Sequence, residues 1–174
     1  EACLSTQAFY RYFTSKDELM LALLDDGRRR LLTSLQRRMQ RSSTSTDQVR
    51  AWVEGVLAQA ADPSAAARTR PWVMSEQRLA ELFPREQQAS VDLLVGLLDD
   101  PVAQLGSPSA GFRSDVDERD DAGDDAEMVA GREGARLIYR LVFATLRAHL
   151  ADGTAPTCDE IEAVVGFCLR GSTR

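Results

Sequence analysis

Apolar residues recur along most of this chain at the spacing of one helix face. Between Asp47 and Ala61 they stand at Val49, Trp52, Val53, Val56, Leu57 and Ala60. These are positions i, i+3, i+4, i+7, i+8 and i+11, which predict an amphipathic helix with one face in a core. A second run opens at Ser15 and continues without proline to about Arg41, with Met20, Leu24, Leu31 and Leu35 on one face. At 1.5 Å per residue such a rod is roughly 39 Å long. Gly27 lies on the same face and marks a close helix contact, a bend, or a tolerated glycine. Pro71 separates another helical run, Trp72–Phe83, with Trp72, Glu76, Leu79, Ala80 and Phe83 in phase. Pro84 suits the first turn of the next helix, which carries Val91, Leu94, Val95, Leu98, Val102 and Leu105. Asp100-Pro101 is expected to kink or shorten it. The most apolar helix is Met128–Leu150. One stripe is Leu137, Leu141, Thr145 and Ala148; a second is Tyr139, Phe143, Leu146 and Leu150. A helix apolar on two sides must be covered on both. Its own core covers one side, and a second copy of the chain is the expected cover for the other. The last helix carries Ile161, Val164, Val165, Cys168 and Leu169. No strand-like alternation and no internal repeat interrupts this pattern, so the predicted fold is all-α.

Punctuation between the runs is consistent with that reading. Ser15 with Glu18, and Thr157 with Glu160, have the spacing of capping boxes. Ser42–Thr46 reads as a loop, Asp62-Pro63-Ser64 as a break, and Gly153 as a helix end. Residues 106–127 are different. Eight acids and one arginine lie between Asp115 and Glu127, a run that repels itself and buries nothing. A mobile acidic loop is expected there. A Ca²⁺ loop is the competing reading, but Asp115-Val116-Asp117-Glu118-Arg119-Asp120 lacks the EF-hand glycine and the closing glutamate. The expected organisation is an end module with a connecting helix, residues 1–41, and a helical body, residues 46–174.

Composition bounds the class. A chain of 174 residues is one domain, or one domain with a small appendage. It contains no apolar run of bilayer length and no secretory pattern, so a cytoplasmic protein without a membrane partner is expected. Cys3, Cys158 and Cys168 have no metal spacing and suit a reducing compartment. The net charge of −6 argues against a nucleic-acid partner until it is divided. Residues 1–41 hold eight Lys/Arg against five acids, a balance of +3; the remainder holds 13 against 22, a balance of −9. A basic end on an acidic body suits a protein that meets phosphates with one end only. Asp25–Arg29 and Asp26–Arg30 also have the i,i+4 spacing of ordinary surface pairs, so a solvated basic helix face is the plainer alternative.

Enzyme chemistry finds little support. His149 stands inside an apolar helix and reads as a helix-end residue rather than a base. A Gly-rich phosphate loop, a nucleophile elbow and a Cys-x-x-Cys pair are all missing, and no cofactor or metal is called for. Trp52, Val56, Trp72, Met74, Leu94, Tyr139 and Phe143 come from different helices. Either they line an apolar cavity for a small molecule, or they fill the core. The densest aromatic stretch is Phe9, Tyr10, Tyr12 and Phe13, in a chain with two Trp, three Tyr and six Phe. Ser5 can cap a short helix there, and Ser15 opens the rod directly after it. Phe9 and Phe13 would pack inward, with Thr6, Gln7 and Tyr10 outward where base edges could be met. Tyr12 and Lys16 suit phosphate contacts beside a helix N-terminus. A plain aromatic minicore fits the same residues.

The stretch from Ala2 to Leu24, containing Ser5-Thr6-Gln7-Ala8-Phe9-Tyr10-Arg11-Tyr12-Phe13-Thr14-Ser15-Lys16, resembles the second half of the helix-turn-helix of the tetracycline-repressor (TetR) family. The match is dense over about twenty residues. Beyond it only the architecture is similar: a long connecting helix and an all-α body. The resemblance implies a homodimeric transcriptional regulator, a repressor in most cases, that leaves its palindromic operator when a small molecule enters the body. It places Thr6, Gln7 and Tyr10 at base contacts, and Tyr12 and Lys16 at the DNA backbone. It also implies a dimer formed by the last two long helices, with Leu137, Leu141, Thr145, Ile161, Val165 and Cys168 as candidates. Cys3 departs from the glycine usual at the turn. The first helix and most of the second lie outside this sequence, so residues 1–174 alone are expected to bind an operator poorly. An all-α small-molecule-binding or protein-interaction domain without DNA binding is the alternative.

Overall fold

Side-chain oxygens set where the helices begin. The Ser15 hydroxyl accepts from the amide of Glu18 at 3.1 Å and opens α1, Lys16–Met39. Thr44 does the same for Asp47 at 3.1 Å and opens α2, Ser45–Ala61. The Asp62 carboxylate accepts from Ala65 at 2.7 Å at the head of α3, Pro63–Leu82. α4 is Pro84–Gly106, with proline at its first position, where the missing N–H costs nothing. α5 is Asp121–Asp152. Thr157 accepts from Glu160 at 3.2 Å and opens α6, Cys158–Ser172. Each such cap supplies one orphan amide and is worth ~1 kcal/mol. These elements come from a computed structural model that describes residues 13, 15–106 and 121–172. The fold is all-α, with no strand among the described residues.

α2 is the central helix and touches every other one. Its Val49, Trp52, Val53, Val56 and Leu57 are fully buried, the positions the apolar spacing singles out. Around them stand Leu35 and Met39 of α1, Leu94, Val95 and Leu98 of α4, Val142 and Leu146 of α5, and Val165 of α6. Burying a side chain of this size stabilises by ~1.5–3 kcal/mol before entropy is counted.

Three boundaries differ from the sequence reading. Helix α3 runs through Pro71 instead of breaking there. Pro71 and residue 67, whose carbonyl loses its amide partner, are both exposed, so water can serve that carbonyl. α4 likewise continues through the buried Pro101 to Gly106. Close packing offsets the cost. A Cβ on Gly131 of α5 would lie 3.1 Å from the Ala103 Cβ and 3.2 Å from its Cα. Only a glycine lets the two backbones approach so closely. The third difference is at the acidic run: residues 121–127 form the start of α5, seven residues before the expected Met128. Residues 107–120 lie outside the described residues.

α5 ends at Gly153, whose φ of +71° is the left-handed conformation that ends helices. Thr154 then donates its amide back to the His149 carbonyl at 3.0 Å. Gly27, by contrast, marks no close contact, because a methyl group there would meet nothing within 4 Å. No described helix is long and apolar enough to cross a membrane.

Candidate functional site

Three polar contacts tie the first part of α1 to the body. Near its start, Asp17 pairs with Arg78 of α3 at 2.9 Å. One turn before its middle, the Asp25 carboxylate accepts from the Ser90 hydroxyl of α4 at 3.0 Å. At its middle, Arg28 donates to Glu76 of α3 at 2.9 Å, with side chains only 10% and 18% exposed. The other Glu76 oxygen takes Arg147 of α5 at 2.6 Å. Glu76 is thus shared between the connecting helix and the longest helix of the body. Beyond this point α1 is held by apolar packing, through the buried Leu35 and Met39.

The outer face of α1 is basic. Arg29, Arg30, Arg37, Arg38 and Arg41 line a shallow groove of about 530 Å³ with Thr33 and Ser34. Arg29 and Arg30 make the expected i,i+4 pairs with Asp25 and Asp26, both at 2.6 Å. Lys16 is exposed at the first position of α1, beside the amides of a capped N-terminus. Thr6, Gln7, Tyr10 and Tyr12 lie outside the described residues, as does the side chain of Trp72.

Of the aromatic residues read as a possible cavity, Trp52, Tyr139 and Phe143 pack against one another. Trp52 is fully buried and Tyr139 nearly so. The Tyr139 and Phe143 rings stack at 4.3 Å, and Trp52 lies tilted at 6.5 Å and 6.3 Å from them. Val56 and Leu94 are buried in the same cluster. Met74 is separate from them, 61% exposed on α3.

Open space lies along α3. A groove of about 670 Å³ runs between α3 and α4, with Arg147 of α5 at its edge. Val73, Met74 and Val91 give it apolar walls, and Glu76 and Gln87 are its polar groups of low exposure. Sequence reasoning missed Gln87, which looks solvated within Glu86-Gln87-Gln88 yet is 5% exposed. A second groove of about 680 Å³ lies between α1 and α4 and includes Phe13, Arg28 and Ser90. Glu76 and Arg28 therefore stand between the two.

The residues expected at a dimer interface divide. Val165 and Cys168 are 0% and 3% exposed and pack into the chain's own core, so neither is open to a second copy. Ile161, Leu141 and Thr145 are half-buried. Leu137 is 59% exposed, and it shares a surface with the exposed Val129. Phe167 of α6 is the most exposed large apolar side chain on that helix, and the spacing argument passed over it.

His149 is a latch at the end of α5. Its Nδ1 lies 2.7 Å from the Thr154 hydroxyl and its Nε2 3.0 Å from the Glu160 carboxylate. It joins the end of α5 to the start of α6.

Burial raises two weak acids of the core. Desolvation pushes the Cys168 thiol up to about 11 and the Tyr139 phenol up to about 12, the latter helped by the Glu76 carboxylate and opposed by Arg28 and Arg147. In the unfolded chain these groups ionise near 9.0 and 10.0. The folded state therefore holds more protons than the unfolded state in this range, and its stability falls as pH rises. Their contribution is whole below pH 9 and is lost between about pH 9 and 12, on the order of 2–3 kcal/mol for each group. Urea denaturation at intervals from pH 8 to 11 is expected to show this fall, shallower in Cys168→Ala. An equal slope in that variant would remove the thiol from the account.

Comparison with known proteins gives no match to a family model, to a curated protein or to a solved structure.

Proposed function

We propose that this protein is a DNA-binding transcriptional regulator, a repressor, that acts as a homodimer. A small hydrophobic or aromatic molecule in the helical body releases it from its operator. The observation that carries this reading is α1. It starts at the Ser15 cap, directly after the stretch that resembles a recognition helix, and runs unbroken into the core at Leu35 and Met39. Both ends of such a rod move together. The basic balance of residues 1–41 against the acidic remainder gives the same direction. A ligand that shifts α3 or α4 acts on α1 through Asp17, Asp25 and Arg28, and a change in α1 alters the spacing of two recognition helices in a dimer.

Selection from a random duplex pool, with the protein in its full encoded length, is expected to yield a palindromic site. Lys16→Ala then weakens binding and lowers the slope against salt by about one phosphate contact. Failure to enrich any sequence would favour the alternative, a helical small-molecule-binding or interaction domain. The exposed Leu137, Val129 and Phe167 support a homodimer formed through α5 and α6. Leu137→Glu is expected to sediment as a monomer; a dimer that survives it is formed elsewhere.

A further inference from the structure

The groove between α3 and α4 carries two features that say what it takes. The first is Gln87, the most buried of the residues lining it. The residue is 5% exposed, and its Nε2 is buried without a hydrogen-bond partner. A buried amide donor left unmade is costly, and a bound molecule with an acceptor oxygen removes that cost once the side chain turns its amide, closed to solvent as it stands, toward the groove. The second is a charged set that reaches the groove through Glu76 and Arg147, with Arg28 behind them in the neighbouring groove between α1 and α4. Two guanidinium groups, Arg28 and Arg147, share the single carboxylate of Glu76 at 2.9 Å and 2.6 Å. This set carries one positive charge in excess. Between these polar groups the walls are Val73, Val91 and the exposed Met74.

We propose that this groove binds an amphipathic carboxylate. Its apolar body lies on Val73, Val91 and Met74. Its carboxylate pairs with Arg147, and an acceptor oxygen takes the Gln87 amide. A monoanion balances the excess charge of the Arg28–Glu76–Arg147 set, whereas a cation adds to it. Arg147 is the arm of that set that a ligand can reach, with its side chain 53% exposed against 10% for Arg28. A ligand carboxylate on Arg147 competes with Glu76 there, and Glu76 then belongs to Arg28 alone. The grip of the body on α1 changes at its middle without any change in the aromatic core. This last consequence rests on the regulatory reading above; the binding does not.

Calorimetry with 2-naphthoate, its uncharged amide 2-naphthamide and the cation 2-naphthylmethylammonium tests the binding. The naphthoate is expected to bind at least tenfold more tightly than the amide, and the cation not to bind. Arg147→Met brings naphthoate down to the level of the amide. Gln87→Leu weakens both by about tenfold while its melting temperature holds or rises, because an unpartnered buried donor is removed. A merely structural Gln87 would lose stability and binding together. Equal binding of the three probes, no binding of naphthoate at millimolar concentration, or an unchanged preference in Arg147→Met overturns the proposal. A DNA arm separates the two readings. If the naphthoate preference is found but operator binding by the full-length protein ignores naphthoate, the groove assignment stands and the regulatory reading fails.

Discussion

Trp52→Ala is expected to remove ~3–5 kcal/mol of stability, the range for truncating a large buried aromatic. Trp52 sits at the centre of α2, fully buried, between the Tyr139 and Phe143 rings of α5 and the aliphatic faces of α1 and α4. The hole left by an indole cannot close, because the helices around it are held by one another. Domains have only ~5–15 kcal/mol to lose, so the melting temperature should drop by about 10 °C or more. Trp52→Phe should cost far less. It keeps most of the volume and removes the indole Nε1–H, which is buried without a partner. Urea and thermal denaturation of the two variants measure the difference. The result also decides what the aromatic cluster is. If Trp52→Ala lost under 1 kcal/mol and left the other rings ordered, the cluster would be an adaptable cavity, and the ligand would belong there rather than between α3 and α4.

That cluster shows where the sequence is informative and where it stops. The spacing of Val49, Trp52, Val53, Val56 and Leu57 announces a buried helix face, and the structure buries all five. Ser15 and Thr157 announce two helix starts, and both hydroxyls accept the amide three residues on. Local chemistry suffices for these because each signal acts within one turn. It misleads at Pro71, where a local penalty is outweighed by solvent access, and at Pro101 it does not show that α4 keeps its length, which close packing on α5 supports. It misleads again at residues 121–127. Acids that repel one another in a loop are favourable in the first turns of a helix, where the dipole presents positive charge. The stripe containing Val165 and Cys168 is real, but periodicity does not say which neighbour covers it; the chain's own core does. The groove was not legible at all. Arg28, Glu76 and Arg147 are separated by 48 and 71 positions, and nothing near any of them in the sequence marks the others as partners.

Glu76 is where the second large effect is expected. Glu76→Leu leaves Arg28, whose side chain is 10% exposed, without its counter-charge, at a cost of about 2–4 kcal/mol. Arg147 is 53% exposed, so its loss in Arg147→Met should cost under ~1 kcal/mol. The two arms of the same carboxylate are therefore unequal, and a double-mutant cycle can show it. Arg28→Met with Glu76→Leu should recover most of the stability lost by Glu76→Leu alone, since two apolar side chains can replace a buried pair at little cost. Arg147→Met with Glu76→Leu should recover almost none. This inequality is what a switch at Glu76 needs. The contact to α1 is strong and shielded, and the contact to α5 is weak and open to exchange with a ligand. Equal coupling in the two cycles would mean that Glu76 is a symmetric clamp. A ligand could then displace Arg147 only at the same cost as loosening α1, and the carboxylate would hold the body together without passing any signal along the rod.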